Sequence, residues 1–177
     1  ISLCDGVIFT GGSTWTVSDE IMLRYCIDNK VPFLGICLEM QMIGNYFCPN
    51  HQPGFDDTVK VNTWFNHYFK GDYCHFVNLR NGYLTKVFNI NRIRVNSYHN
   101  FMVNYTDDVV VKGISDDGVI EALEVPNHAF GIGDAVASKK MIDYDENSRE
   151  LLGEFICASN QKRLRKYCLL YTSPSPR

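Results

Sequence analysis

Long apolar runs are missing from this sequence, and none approaches the ~20 residues a membrane-spanning helix needs. An excess of basic charge is missing too. Seventeen Lys and Arg stand against twenty Asp and Glu, which argues against a nucleic-acid surface, because that needs a basic face. The seven cysteines contain no CxxC pair and no regular spacing, and their number is odd. They read as reduced thiols of a cytoplasmic protein, not as a disulfide framework or a zinc site. Internal repeats and long linkers are also absent, so 177 residues with 45% hydrophobic content fit one domain.

Both ends look foreign to a complete fold. The first residue is Ile, and Leu3 to Phe9 already reads as a strand in progress, so upstream strands are expected to be missing. Residues 171–177 carry two prolines without backbone donors and no apolar period. The expectation is a single partial domain over residues 1–170 followed by a non-native tail.

What is present alternates between strand and helix. Asp5 to Thr10 is an apolar strand ending in the Gly11-Gly12 turn, and Ser18 to Asn29 carries a helical stripe with Ser18 as a plausible N-cap. Val31 to Ile36 is apolar throughout, as a strand covered on both faces should be. Leu38 to Phe47 returns to helical spacing. That order predicts a parallel sheet in a doubly wound α/β domain. Pro49 to Lys70 reads as loop. Tyr73–Leu79, Arg92–Asn96, Val109–Ile114, Val119–Val125 and Ala129–Ile132 read as short strands, with a turn at Asp116 to Gly118, and Asn147–Cys157 as the last helix.

Cys37 closes the apolar run Val31 to Ile36 and opens the next helix. A lone cysteine at a strand end is more often a small buried hydrophobe than a nucleophile. Here, though, the strand–Gly35-Ile-Cys37–helix arrangement forms a nucleophile elbow at the C-terminal edge of the sheet. The helix dipole there favours a thiolate, and the Leu38 N–H is free to face a developing oxyanion. The Gly11-Gly12 turn is the candidate for a second donor.

Four segments, Thr10 to Gly12, Gly35 to Gln41, Val95 to His99 and Asp117 to Ala122, together resemble the class I glutamine amidotransferase-like family, closest to its γ-glutamyl-γ-aminobutyrate hydrolase branch. Glu39 departs from the pattern, which has glycine there. The resemblance implies a flavodoxin-like, mostly parallel sheet whose first strands are absent here. It implies Cys37 as nucleophile, Gly11 or Gly12 with Leu38 as oxyanion donors, and Gln41, Ser97, Tyr98 and His99 around a small γ-glutamyl substrate. Neither a metal nor an organic cofactor is required for that reaction. A close variant hands ammonia to a synthetase partner.

The resemblance also implies a base: the His of a Trp-His-Pro-Glu segment after the strand at Ala129–Ile132, with the Glu orienting it. The chain has Asp134-Ala-Val-Ala-Ser-Lys139 instead. Asp-Ala-Val-Ala-Ser can be encoded GAT GCA GTG GCA TCC, and the same letters read one base later give Met-Gln-Trp-His-Pro. A paired frame error therefore accounts for the loss and leaves Ala137 where His belongs and Lys139 where Glu belongs. A diverged, non-catalytic γ-glutamyl-binding protein is the alternative, and rescue by His128 is a third.

Overall fold

The computed structural model describes residues 4–69, 73–104, 110–135 and 145–172. Along them run β1 (Val7–Thr10), α1 (Val17–Asp28), β2 (Phe33–Ile36), α2 (Leu38–Tyr46), β3 (Val59–Lys60), β4 (Tyr68–Phe69) and β5 (His75–Leu79). There follow α3 (Tyr83–Phe88), β6 (Arg92–Val95), β7 (Ser97–Tyr98), β8 (Phe101–Met102), β9 (Val111–Ser115), β10 (Ile120–Glu124), β11 (Gly131–Asp134) and α4 (Glu146–Thr172).

Seven strands form one sheet in the order β1-β2-β11-β10-β9-β5-β6. β1 and β11 flank β2 and both pair with it parallel, while every pairing from β11 out to β6 is antiparallel. Only β10 and β5 run against the other five strands, so the sheet is mostly one-directional although its parallel ladders are confined to one end. The reason lies in the connections. α1 is long enough to carry a crossover between β1 and β2, whereas the turn at Asp116 to Gly118 is too short and must return the chain antiparallel. Two ribbons, β3–β8 and β4–β7, arise from the region expected to be loop and its partners.

Helices cover both faces. Phe33 packs with Leu23 of α1 and Met40 and Ile43 of α2 on one side. Leu34 and Ile36 pack with Leu84 of α3 and Leu151 and Phe155 of α4 on the other. β2 is thus buried along its whole length, and each such side chain contributes about 1.5–3 kcal/mol. This is the doubly wound α/β arrangement expected from the alternating elements.

Two helix boundaries differ from the sequence reading. α1 is capped by Thr16, not Ser18: the Thr16 N–H donates to Asp19 Oδ2 at 2.7 Å and the Asp19 N–H to Thr16 Oγ1 at 3.4 Å. This reciprocal box satisfies two donors, where Ser18 would satisfy one. α4 continues past Cys157 to Thr172. Its residues 160–165 are mostly exposed and offer no apolar stripe, but Gln161, Lys162, Arg163, Leu164 and Arg165 are strong helix formers.

Helix α3 has no counterpart in the sequence reading. Its first two N–H groups, of Tyr83 and Leu84, each donate at 2.8 Å to the Glu124 carboxylate on β10. A cap supplied from so far along the chain leaves no local signature.

The placement of Cys37 rests on a pair of glycines. Gly35 and Gly133 are neighbours across β2 and β11, directly beneath α2. A Cβ on Gly35 would lie 2.7 Å from Ile43 Cδ1 and 3.3 Å from Glu39, and one on Gly133 would lie 2.8 Å from Met40 Cγ. With no side chains in between, the helix rests on the strands and its first turn is fixed against the sheet edge.

Candidate active site

Cys37 is the N-cap of α2, with φ 61° and ψ −107°. A residue with a Cβ rarely adopts this conformation, and holding it costs about 1–3 kcal/mol. The surroundings over-determine it: the Cys37 N–H donates to Asp134 O on β11 at 2.7 Å, and the Cys37 carbonyl accepts from the N–H groups of Met40 at 3.1 Å and Gln41 at 3.3 Å. The sharp turn carries the side chain off the sheet edge and leaves it half-buried. The sequence-predicted elbow is therefore present as a backbone geometry.

The thiol faces an open cleft of about 480 Å³. Gly11, Gly12, Leu38, Gln41, Tyr98 and His99 all line it. Among the described residues the Leu38 N–H has no hydrogen-bond acceptor, so it is available to an oxyanion beside Cys37. Gly11 has φ 47°, a conformation suited to glycine. Gly12 is less constrained: a Cβ there would come no closer than 3.5 Å, to Leu38 Cδ2. That contact sets the glycine turn directly alongside the start of α2.

The far wall is tied down by one carbonyl. Phe101 O accepts from Gln41 Nε2 at 2.7 Å and lies 3.0 Å from His99 Nδ1. Tyr68 and Tyr98 stack at 4.4 Å between ring centroids with their hydroxyls 2.9 Å apart. Tyr68, Ser13, Asn100 and Phe101 join the lining without having been singled out in the sequence. Tyr68 arrives through β4–β7 pairing, opposite Tyr98.

Ser97 does not line the cleft. Its hydroxyl is buried behind the wall, donating to His67 O at 2.8 Å and lying 3.1 Å from His67 Nδ1. Alternation along β7 explains this: Tyr98 faces the cleft, so Ser97 faces away. Glu39 is not in the lining either, and its Cβ sits over Gly35.

Behind Ser97 lies a group invisible to sequence spacing. Glu121 is fully buried on β10, with His67 Nδ1 3.0 Å and His75 Nε2 3.4 Å from Oε1, and His99 Nε2 3.3 Å from Oε2. His67 Nε2 is 2.9 Å from Asp117 Oδ2, which also accepts from Thr63 Oγ1. Burial works against the charged form of His67 and His99, but the adjacent carboxylates outweigh it and raise both. His75 is lowered, because its burial is less compensated. Burial disfavours the Glu121 anion, yet the three imidazoles hold its carboxyl well below the usual range.

The candidates for a base divide clearly. Ala137 and Lys139 lie outside the described residues. β11 ends at Asp134, whose carbonyl accepts from the Cys37 N–H at the nucleophile's own edge of the sheet. His99 has Nδ1 at a carbonyl and Nε2 toward Glu121. His128 lies in the turn before β11, half-buried against the Phe33 ring, and its Nδ1 accepts from the Phe130 N–H at 3.2 Å. It stands at the opposite end of β2 from Cys37, which removes it as a rescuing base.

The peptidase C26 family model matches residues 16–133. The fold is similar to that of a protein from Thermoplasma acidophilum assigned as part of a GMP synthase (TM-score 0.62, 18% identity, 92% of this chain and 76% of that one). It is similar to the glutaminase domain of Trypanosoma brucei CTPS, solved with bound acivicin (0.68, 17%, 90% and 72%). A glutamine amidotransferase from Thermotoga maritima also matches (0.52, 15%, 93% and 74%). No curated protein matches the chain. Among the described residues no helix is long and apolar enough to cross a membrane.

Proposed function

Because the chain belongs to the peptidase C26 family, a family of cysteine-dependent amide hydrolysis, we propose that it is built to cleave a γ-glutamyl amide through a thioester on Cys37. The observation that carries this reading is the strained backbone of Cys37, which aims a half-buried thiol into a cleft beside an unengaged helix-terminal N–H. Strain of this kind persists where function needs it.

The thiolate attacks the γ-carbonyl, and the oxyanion forms against the Leu38 N–H and the Gly11-Gly12 turn. The amine leaves with a proton, and water then releases glutamate from the thioester. Gln41, Tyr98 and His99 hold the glutamyl group from the far wall, Gln41 and His99 being fixed by their shared hold on Phe101 O. A cytoplasmic setting suits the reduced thiols. Delivery of the released ammonia to a synthetase is the variant supported by the synthase components that share this fold.

A second reading has its own support: residues 134–139 carry no His and no Glu, and the matched family region stops at residue 133. On this reading the chain as written binds γ-glutamyl ligands without turning them over. The test compares it with a version carrying Asp134→Met, Ala135→Gln, Val136→Trp, Ala137→His, Ser138→Pro and Lys139→Glu. Glutamate release from γ-glutamyl amides is expected to rise by about 10²–10⁴-fold and to vanish with Cys37→Ala. Equal rates in the two chains would refute the assignment of the base. A folded, inactive restored chain would favour the binding reading.

A further inference from the structure

Three imidazoles converge on one buried carboxylate, and their outer nitrogens reveal their tautomers. His99 Nδ1 faces Phe101 O at 3.0 Å and His75 Nδ1 faces Phe76 O at 3.3 Å. A carbonyl only accepts, so both nitrogens carry hydrogen. His67 Nε2 likewise faces the Asp117 carboxylate at 2.9 Å. In their neutral forms His75 and His99 therefore turn a lone pair toward Glu121, while His67 Nδ1 is shared between Glu121 Oε1 at 3.0 Å and Ser97 Oγ at 3.1 Å.

Lone pairs against carboxylate oxygens repel, and the hydrogen bonding bears this out. Among the described residues neither oxygen of Glu121 has a hydrogen-bond partner, nor has His75 Nε2 or His99 Nε2, although all four atoms are buried. Charging all three rings would bury three cations beside two carboxylates. Charging two leaves one lone pair still facing the anion. A cation among these donors would resolve the conflict.

We propose that His67, His75 and Glu121 bind a divalent transition-metal ion of the Zn²⁺ class. Their donor atoms lie within 4.8 Å of one another. A tetrahedral ion with bonds of about 2.0–2.1 Å sets its ligands about 3.3–3.4 Å apart, and Glu121 Oε1 stands 3.0 Å from His67 Nδ1 and 3.4 Å from His75 Nε2. Two imidazoles and a carboxylate suit Zn²⁺ or Co²⁺; Mg²⁺ and Ca²⁺ prefer all-oxygen sites. Asp117 behind His67 supplies the outer carboxylate that commonly orients a metal-bound histidine, and His99 in its charged form would hold the second oxygen of Glu121, 3.3 Å away. Of the three ligands His75 is the least buried, its side chain 8% exposed against 1% for His67 and 0% for Glu121, so an ion would enter from its side.

The ion's place is structural. It would join the segment before β4 to β5 and β10, directly behind the wall that carries Tyr68, Tyr98 and His99. Metal binding is measured without substrate and is therefore independent of the assigned reaction.

The experiment uses the full chain freed of metal with a chelator, then titrated with ZnCl₂ by calorimetry and with CoCl₂ by visible absorption. One Zn²⁺ per chain is expected, with proton release into the buffer and the intense d–d bands of tetrahedral Co²⁺. Glu121→Gln and His75→Ala should each weaken binding by at least ~10-fold and erase the cobalt bands, and Asp117→Asn should weaken it by about 10–100-fold. His51→Ala should leave it unchanged. Circular dichroism checks that each variant is folded, and His75→Ala at the sheet's outer strands serves if Glu121→Gln is not. Absence of stoichiometric Zn²⁺ binding, or binding undiminished in His75→Ala, would overturn the proposal.

Discussion

The backbone strain at Cys37 gives a test that is independent of enzymatic activity. Alanine at position 37 keeps the Cβ and hence the cost of φ 61°, ψ −107°; glycine removes both. At an ordinary interior position Gly is less stable than Ala by about 0.5–1 kcal/mol. At an N-cap Gly is already favoured over Ala, so the comparison needs a control with relaxed geometry. Thr16, the N-cap of α1 at φ −117°, provides one. The stability difference between Cys37→Gly and Cys37→Ala should exceed that between Thr16→Gly and Thr16→Ala by about 1–3 kcal/mol, the cost of the strained conformation. Neither variant at position 37 loses a side-chain cap, because Cys37 makes none. Urea unfolding measures each difference. In a thermal melt 1 kcal/mol corresponds to about 2–4 °C for a chain of this size. Equal Gly–Ala gaps at the two positions would mean that Cys37 is not strained, and the elbow argument would fail with it.

Other outcomes follow from the same structure. Cys37 should be alkylated by iodoacetamide before the buried Cys26, whose thiol burial pushes up to about 11; faster labelling of exposed Cys4 or Cys157, mapped by peptide, would count against an activated thiol. Gly35→Ala should destabilise by about 1–3 kcal/mol, since its Cβ would meet Ile43 at 2.7 Å and the first turn of α2 at 3.3 Å, while Gly12→Ala should stay within ~0.5 kcal/mol in the same unfolding assay. Glu124→Ala should cost about 1–3 kcal/mol by leaving the start of α3 uncapped, with loss of amide protection at Tyr83 and Leu84 as the local readout. Burial disfavours the Asp117 anion, but hydrogen bonds from Ser115, Thr63 and His67 outweigh it and hold its carboxyl at about 2. A carboxyl whose folded value is depressed stabilises above its unfolded value, so its contribution should be lost as pH falls from about 4 to 2, and Asp117→Asn should flatten that limb of the stability profile.

The parts of the fold legible in the sequence are those specified locally. The apolar run into Gly35-Ile-Cys37 and the helix after it announce the elbow, because strand, turn and helix start lie close together in the chain. Asp116 to Gly118 announces a hairpin, and Gly118 does take a positive φ of 88°. What could not be read came from partners distant in the chain. Tyr68 enters the cleft only because β4 pairs with β7, and α3 forms where Glu124 of β10 caps it. His67 and His75 carry no motif: one lies in an aperiodic stretch and the other on an outlying strand, and it takes the β4–β7 pairing beside His67 and the sheet order at His75 to bring them to Glu121. The inward turn of Ser97 was missed because alternation within a two-residue strand has no visible period.

The position of β11 has a kinetic consequence. It lies between β2 and β10 in space but is made after both, so the edge of β2 from Phe33 to Ile36 waits unpaired while the chain grows to Gly131. Contacts of such long range form late and slowly, and an open edge in the interim invites pairing with another chain. The bond from the Cys37 N–H to Asp134 O closes in the same step. A growing chain therefore carries the thiol through synthesis without the geometry that arms it, and acquires that geometry only when the centre of the sheet is sealed.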